Sequence, residues 1–170
     1  MITRAMGLDL GMHTGCAKWD GTLNSEVKHF KRKRTEPLLQ PVFDFESWLY
    51  ESLLLFRPQV VGYEKPFIKW PRAAEILYPM AFVVELSCHV RGIRCLPVGA
   101  KELKKWATGN GNATKQQMIA AANCRHWPVP GRDRLPETTW SLISNVTSSD
   151  EADAILVLAW VLGQEKNDGA

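Results

Sequence analysis

The sequence lacks the usual marks of a secreted, membrane-spanning or zinc-binding protein. Its four cysteines form no CxxC pair and no zinc-like Cys/His spacing, so thiols in the core of a cytoplasmic protein are the simpler interpretation. No signal-peptide-like apolar stretch follows Met1. The longest apolar run, 154–162, is too short to span a bilayer. We therefore expect a cytoplasmic protein that does not associate with membranes.

Familiar catalytic and nucleotide-binding motifs are missing as well. No Ser-His-Asp or Cys-His arrangement is present, and the four histidines stand in unrelated contexts. The Gly109–Asn112 turn lacks the Gly-Lys-Ser/Thr ending of a P-loop. A net charge of only +3 does not by itself indicate nucleic-acid binding. The 170 residues, 45% hydrophobic and 23% charged, predict one soluble domain over 1–170.

The basic residues are unevenly distributed along the chain. Lys28, Lys31, Arg32, Lys33 and Arg34 form one dense run. Such a run is usually solvated surface, and otherwise it is a strip that binds phosphates.

Hydrophobic periodicity predicts three strands followed by strands that alternate with helices. This order is typical of a mixed α/β sheet, in which an antiparallel meander is extended by two parallel strands and helices cover both faces. Ligand sites in such sheets tend to lie at the carboxyl ends of parallel strands. We predict strands at 2–10, 14–19, 25–32, 59–64 and 93–97, helices at 43–56, 73–91, 99–106, 115–124 and 150–164, and a long loop at 125–148.

Two carboxylates end predicted strands. Asp9 follows an apolar stretch, and Glu64 closes the apolar run 60–63, where glutamate is an unusual strand residue. A buried carboxylate needs a partner or a metal because its desolvation is costly. Each acid also has a plain alternative. Asp9 begins a turn if its strand ends one residue early, and Lys65 could neutralise Glu64.

A third acidic feature opens the last predicted helix. Acids in a first turn favour the helix dipole, and Ser149 or Asp150 could be the N-cap, which explains Asp150 and Glu151 without any function. Asp153 differs because it leads into a segment that is apolar nearly all round. Residues three apart share a helix face, so Asp150 and Asp153 can converge on one point while Glu151 is rotated away.

Clustered carboxylates are the ligands that hard cations such as Mg²⁺ and Mn²⁺ prefer. Two such ions about 4 Å apart can activate a water and stabilise the leaving oxygen of a phosphodiester. The acids therefore indicate a site for divalent metal ions, which could support phosphodiester hydrolysis.

At this point the pattern resembles a known family. Asp9 on the first strand, Glu64 on the fourth and Asp150-x-x-Asp153 on the last helix resemble the active site of RuvC-like Holliday-junction resolvases, in the ribonuclease H-like superfamily. The segment Ala100–Lys115 resembles the family segment with a helical lysine, a Gly-x-Gly turn and a second lysine. The opening Gly-x-Asp-x-Gly is weak evidence. The four acids in order, with the Gly-x-Gly-x-x-x-Lys turn, are more specific.

The resemblance implies a magnesium-dependent endodeoxyribonuclease that resolves four-way DNA junctions on a ribonuclease H-like five-stranded sheet. Asp9, Glu64, Asp150 and Asp153 would be catalytic and would hold two Mg²⁺ ions per active site, with Mn²⁺ as a substitute. Lys115 would stabilise charge that develops on the phosphate; its alternative is an exposed lysine at a helix start.

The same match implies a set of DNA contacts. Phe67 falls where the family places an aromatic that stacks on junction bases, although a core phenylalanine is the alternative. Trp70 and Arg72 could extend this surface. The other DNA-binding residues that we predict are Lys31, Arg32, Lys33, Arg34, Lys101, Lys104, Lys105 and Lys115.

The chain departs from the bacterial pattern at Lys65-Pro66, at 69–71 and in the loop 125–148. These departures and the short length resemble phage-encoded members, which would place the protein in the cytoplasm of the host. They also leave strict sequence and junction specificity open.

A four-way junction offers two strands related by near two-fold symmetry, which the family meets with a two-fold homodimer. We predict that the helix within 73–91 forms the dimer contact, although the same residues could pack on the sheet. Pro79 predicts a kink or a late start of this helix. The predicted contact residues are Ile76, Leu77, Met80, Val83 and Val84.

Three alternatives remain. A related nuclease would act on flaps, forks or RNA–DNA hybrids. The Asp9-x-Gly11-x-x-Thr14 pattern suggests an actin-like nucleotide-binding fold, for whose second half 170 residues leave little room. A non-catalytic protein that binds branched DNA is the third, and the acids argue against it because they would repel phosphates.

Overall fold

The computed structural model describes residues 2–67, 71–124 and 146–164. Trp70, the side chain of Arg72 and most of the predicted loop 125–148 lie outside the described residues. The elements in chain order are β1 (Ala5–Asp9), β2 (His13–Trp19), β3 (Leu23–His29), α1 (Gln40–Phe56), β4 (Val60–Glu64), α2 (Pro71–Arg91), β5 (Arg94–Val98), α3 (Ala100–Thr108), α4 (Lys115–Ala122) and α5 (Ser149–Gly163).

The five strands form one mixed sheet in the order β3-β2-β1-β4-β5. β1, β2 and β3 pair antiparallel, whereas β4 and β5 extend the sheet in parallel with β1. The predicted mixed α/β sheet is thus confirmed. Because β1, β4 and β5 run in one direction, their last residues share one edge of the sheet. We call it the carboxyl edge, and the opposite one the amino edge.

Helices cover both faces of the sheet, as predicted. One core packs α5 and parts of α3 and α4 against the sheet. The other core packs α1 and α2 against its opposite face. β1 contributes to both layers because successive side chains of a strand point to opposite faces. Ala5 belongs to the α5 layer, and Met6 and Leu8 belong to the α1–α2 layer.

Helix α5 is buried on nearly every side. Residues 154–161 are all 8% exposed or less. The helix contacts β1, β2 and β4 on one side and α4 on another. This sandwiched position explains why the segment is apolar all round rather than amphipathic.

Among the predicted bounds, those of β1, β3 and α1 were displaced most, by up to three residues. β3 ends at His29, so the basic run 31–34 lies in an exposed loop and not on the strand. α1 begins at Gln40, because Pro41 is tolerated in a first helical turn, where its missing N–H costs nothing. α2 continues through Pro79, so a late start is excluded.

Helix α2 places its predicted dimer residues mainly against the sheet. Met80 and Val84 are fully buried, and Ile76 and Val83 pack against the same core. The sheet-packing alternative is therefore correct for these four, because the exposed apolar stripe lies on another face of the helix. Its members are Tyr78, Phe82, Leu86 and Val90.

By length and composition alone, residues 73–91 form a helix that is long and apolar enough to cross a bilayer. Charged residues interrupt this segment, so it is not one of the uninterrupted apolar runs of the sequence. One face of this helix packs in the core, although only 22% of the apolar window is buried. Besides the buried methionine and valine, Cys88 is fully buried, and the hydroxyl of Tyr63 on β4 donates a hydrogen bond to Glu85.

Candidate active site

Asp9 and Glu64 lie next to each other at the carboxyl edge. β1 and β4 pair in parallel with Leu8 opposite Tyr63, so the next residue of each strand continues the same register. Asp9 is the last residue of β1 and Glu64 the last of β4, and both are half-buried. The register thus brings together two acids that are far apart in the sequence.

Glycines on the sheet determine how closely α5 approaches. A Cβ atom on Gly15 would lie 1.9 Å from the carbonyl oxygen of Asp150, and one on Gly7 would lie 2.5 Å from the backbone nitrogen of Leu158. A Cβ atom on Gly62 would lie 2.2 Å from a methyl group of Val161. Only glycine permits these contacts. They hold the first turn of α5 against β2, beside Asp9.

The start of α5 separates the roles of its acids. Ser148 caps the helix by accepting from the backbone N–H of Glu151 at 3.5 Å, so neither Ser149 nor Asp150 is the N-cap. The carboxylate of Glu151 accepts a hydrogen bond from the Ser25 hydroxyl on β3 at 2.7 Å. This bond directs Glu151 away from the other acids. Among the described residues, the Asp150 carboxylate accepts from the neighbouring Ser149 hydroxyl, at 3.2 Å.

The four predicted acids interact electrostatically. Burial raises the pKa of Asp9 well above its usual range, and the charges of Glu64, Asp153 and Asp150 raise it further. Burial, and then the charge of Asp153, raises the pKa of Glu64 to about 7. Like charges in a desolvated site resist ionisation, so the four carboxylates form one coupled group.

Asp153 is the most informative member of this group. Burial raises its pKa to about 6, with a further contribution from Asp150. One of its carboxylate oxygens, Oδ1, is buried and has no hydrogen-bond partner among the described residues. A buried carboxylate oxygen without a donor is costly, and a bound cation would satisfy it.

The donor set fits a hard divalent cation, since it consists of carboxylate oxygens alone. Within 2–67, 71–124 and 146–164, however, no three His, Cys, Asp or Glu side chains lie close enough together to hold a metal ion.

Two lysines from the Ala100–Lys115 segment partly neutralise the acids. Lys104 on α3 lowers the pKa of both Glu64 and Asp153, and Lys115 lowers that of Asp9 and Asp153. Lys115 is the first residue of α4, whose start is fixed by Thr114 in a capping box with Gln117. Lys115 is exposed, as the alternative of an exposed lysine at a helix start predicts. Its charge nevertheless acts on Asp9 and Asp153. Lys104, which was predicted as a DNA contact, also acts on the acids.

A groove of about 510 Å³ adjoins Glu64. Phe67 lines it and is 81% exposed, so the core-phenylalanine alternative is wrong. Lys65 and Asn112 also line it and were not predicted, because nothing in their local sequence indicates a shared surface. The full lining is Lys65, Pro66, Phe67, Gly99, Ala100, Lys101, Lys104, Gly111 and Asn112.

The remaining predicted DNA contacts lie outside this groove. Lys105 is exposed on α3 but does not line it. The basic run 31–34 begins just after Phe30, whose backbone N–H donates to the carbonyl of Met12 at 2.8 Å. Since Met12 follows the end of β1 by three residues, the run lies at the carboxyl edge, across Asp9 from the groove. Lys33 forms an ion pair with Glu36 at 3.9 Å.

Comparison with known proteins identifies the fold. No protein-family model and no curated protein sequence matches the chain. The structure of Thermus thermophilus RuvC is similar with a TM-score of 0.69 at 20% identity, over 99% of this chain and 97% of that one. The same protein in complex with a Holliday junction substrate gives 0.69 at 19%, over 92% and 91%.

One eukaryotic structure and one viral structure share the fold. The yeast mitochondrial Holliday junction resolvase Ydc2 has a TM-score of 0.62 at 18% identity, over 95% of this chain and 79% of that one. The fowlpox virus resolvase, solved with Holliday junction DNA, has a TM-score of 0.54 at 13% identity, over 92% and 97%. At these identities the likeness shows the RuvC-like, ribonuclease H-like fold.

Proposed function

From this fold and site we propose that the protein is a divalent-metal-dependent endonuclease that resolves four-way DNA junctions. The observation that carries the proposal is the coupled carboxylate group of Asp9, Glu64, Asp150 and Asp153, which includes the unpartnered Oδ1 of Asp153. Carboxylates with strongly raised pKa values cluster at sites where a cation or a substrate uses them.

The four carboxylates would hold the metal ions. When bound, Mg²⁺ or Mn²⁺ supplies Lewis-acid stabilisation of the phosphate and lowers the pKa of a water molecule. The side chains must lose their protons to bind the cation. Lys104 and Lys115 assist this loss, because both lower the pKa of Asp153. The same lysines would then neutralise the scissile phosphate between them.

The groove beside Glu64 would hold the DNA near the cut. Its cations, Lys65, Lys101 and Lys104, suit phosphates, and exposed Phe67 offers a stacking surface for an unpaired base. A base on Phe67 places its own backbone close to the carboxylates. The run 31–34 would grip the duplex on the other side of Asp9, with an affinity that falls as salt rises.

A second copy of this chain would complete the junction-binding surface. The exposed apolar stripe of α2 includes Tyr78, Phe82 and Leu86. Exposed apolar surface of this extent marks an interaction site. A two-fold dimer through this face would present two active sites to the two symmetry-related strands.

Cleavage of a four-way junction tests the proposal. A junction labelled on each strand in turn should receive paired, symmetric nicks in Mg²⁺ and in Mn²⁺ but none in EDTA. Asp9→Asn and Glu64→Gln should abolish cutting and still bind the junction. Glu151→Gln is the matched control, since Glu151 is hydrogen-bonded to Ser25 and stands apart from the coupled acids.

The same assay separates the alternative functions. Flaps, forks, RNA–DNA hybrids and linear duplex would be tested beside the junction. Preference for a hybrid or a flap would reject junction resolution but retain the nuclease. Junction binding without any cutting in either metal would favour the non-catalytic DNA-binding protein.

A further inference from the structure

A second cavity lies at the amino edge of the sheet, away from the carboxylates. Pro58 precedes β4 and Ile93 precedes β5, whereas Asp9 and Glu64 end their strands. A five-residue strand separates the two edges by roughly 15 Å. The cavity has a volume of about 290 Å³, and its lining is Leu53, Leu54, Arg57, Pro58, Arg91 and Ile93.

Arg57 has an unusual backbone conformation at this cavity. It ends α1 in the left-handed region with φ 52° and ψ 58°, and its N–H donates to the carbonyl of Leu53 at 3.0 Å. Among the described residues it is the one non-glycine with positive φ. Glycine or asparagine normally fills this place because other side chains are strained there. Strained residues of this kind cluster at ligand sites.

Arg91 is held in place from two sides. Its guanidinium lies 4.8 Å from the centre of the Tyr50 ring, and its Nη1 donates to the carbonyl of Ser87 at 3.1 Å. The ion pairs that the structure describes are Lys18–Glu26 and Lys33–Glu36. Neither cavity arginine therefore has an acidic partner in the described part of the chain.

Two guanidiniums beside a partly apolar cavity select a particular chemistry. The Arg57 guanidinium is positioned by its Nε, which donates to the carbonyl of Leu54 at 3.4 Å. Guanidinium binds carboxylate through paired hydrogen bonds, and the cavity has room for one bulky apolar side chain. The C-terminal residue of a peptide carries both groups together. Arg4, whose Nη1 donates to the carbonyl of Phe56 at 3.4 Å, adds a third cation nearby and favours acidic residues upstream in the peptide.

We propose that this cavity, the arginine pocket, binds the C-terminal end of an acidic peptide from a partner protein. The terminal carboxylate lies on Arg57 and Arg91, and a final Leu or Phe side chain packs among Leu53, Leu54 and Ile93. Because the pocket and the carboxylates occupy opposite edges, the peptide and DNA bind without competition. The proposal does not depend on the nuclease function.

Fluorescence anisotropy with a labelled hexapeptide, Gly-Asp-Glu-Asp-Ser-Phe with a free carboxyl terminus, tests this pocket on the full chain. We expect saturable binding, weakened about tenfold or more by C-terminal amidation, by Arg57→Gly or by Arg91→Gln. Arg57→Gly should not lower the melting temperature, since glycine adopts the left-handed region freely. Its loss of binding would therefore not reflect unfolding. Arg34→Ala removes a cation at the other edge and should leave peptide binding unchanged.

Other outcomes overturn the proposal. Equal binding of the amidated peptide would mean that the arginines do not hold a terminal carboxylate. Retained binding by folded Arg57→Gly would place the peptide elsewhere, as would displacement of the peptide by a four-way junction. If N-acetylphenylalanine binds as tightly as the hexapeptide, the pocket takes a small carboxylate and not a protein terminus.

Discussion

Replacement of Asp153 by asparagine should make the metal-free protein more stable and inactive. Asparagine has nearly the same size, so the change removes a charge with little effect on packing. The carboxylate is buried near Asp150, and its Oδ1 has no hydrogen-bond partner among the described residues. A residue kept for catalysis at the expense of stability behaves in this way.

The magnitude follows from the pKa of this group. Burial, opposed by Lys104 and reinforced by Asp150, raises the pKa of Asp153 from 3.8 to about 6. A carboxylate whose pKa is higher in the folded than in the unfolded protein destabilises the folded state when it is ionised. This penalty is complete at pH values above the folded pKa. The penalty fades as the pH falls toward the unfolded value. The difference between the unfolded and folded pKa values corresponds to at most about 3 kcal/mol. Screening by solvent and coupling to the other acids reduce the expected gain in unfolding free energy to about 1–3 kcal/mol at pH 8.

Urea unfolding in EDTA at pH 8 and at pH 4, followed by circular dichroism, measures this gain. Asp153→Asn should be more stable than the wild type at pH 8, and the gain should shrink at pH 4. Its cleavage of a four-way junction in Mg²⁺ should fall below detection. Glu151→Gln is the matched control, because Glu151 lies on another face of the same helical turn and accepts from Ser25. It should lose a little stability and keep its cleavage. A variant that is less stable at pH 8, or that gains equally at both pH values, refutes the reasoning.

Four further outcomes follow from the site and the packing. Burial and like charge raise the pKa of Glu64 to about 7, so protons should compete with Mg²⁺ below pH 8. The Mg²⁺ concentration that gives half of the maximal thermal stabilisation should therefore rise as the pH falls from 8 to 6. If this concentration does not change with pH, the site is not made of carboxylates. Gly15→Ala should lower the unfolding free energy by about 3 kcal/mol or more, because the added Cβ would overlap α5. In the control Gly99→Ala the added Cβ meets nothing closer than 4.0 Å and should cost far less. Equal losses of stability would contradict the close approach of α5. Phe67→Ala should leave the melting temperature unchanged, since the ring is 81% exposed, and should weaken junction cleavage by about tenfold or more; a large loss of stability would indicate packing instead. Phe82→Asp should convert a dimer to a monomer in analytical ultracentrifugation, and an unchanged mass would exclude the α2 stripe as the interface.

Much of the fold could be predicted because strand and helix periodicity is a local property of the chain. The short apolar runs of β1 and β4 and the helical spacing in α1 are visible within windows of a few residues. Two of the four acids were recognisable because they end apolar strands, and Asp153 because it enters an apolar helix. The boundaries of β3 and α1 were harder, since solvation and the position of a proline in the first turn decide where an element ends.

The structure assigned side chains that the sequence left ambiguous. The hydrogen bond from Ser25 on β3 to Glu151 separates that acid from Asp150. The exposure of Phe67 excludes a core role. The burial of Met80 and Val84 redirects the proposed dimer contact to the stripe that includes Phe82. Each outcome depends on a neighbour from a distant part of the chain, which no local pattern contains.

The sequence by itself determined the residue types that this site requires and the order in which the strands and helices deliver them. Only the tertiary structure decided that the four acids lie close enough to interact electrostatically. This proximity depends on the parallel register of β1 and β4 and on Gly15, whose missing side chain lets α5 lie against β2 beside Asp9. Register and interlayer distance come from packing between elements far apart in the chain, and packing is a property of the folded molecule as a whole.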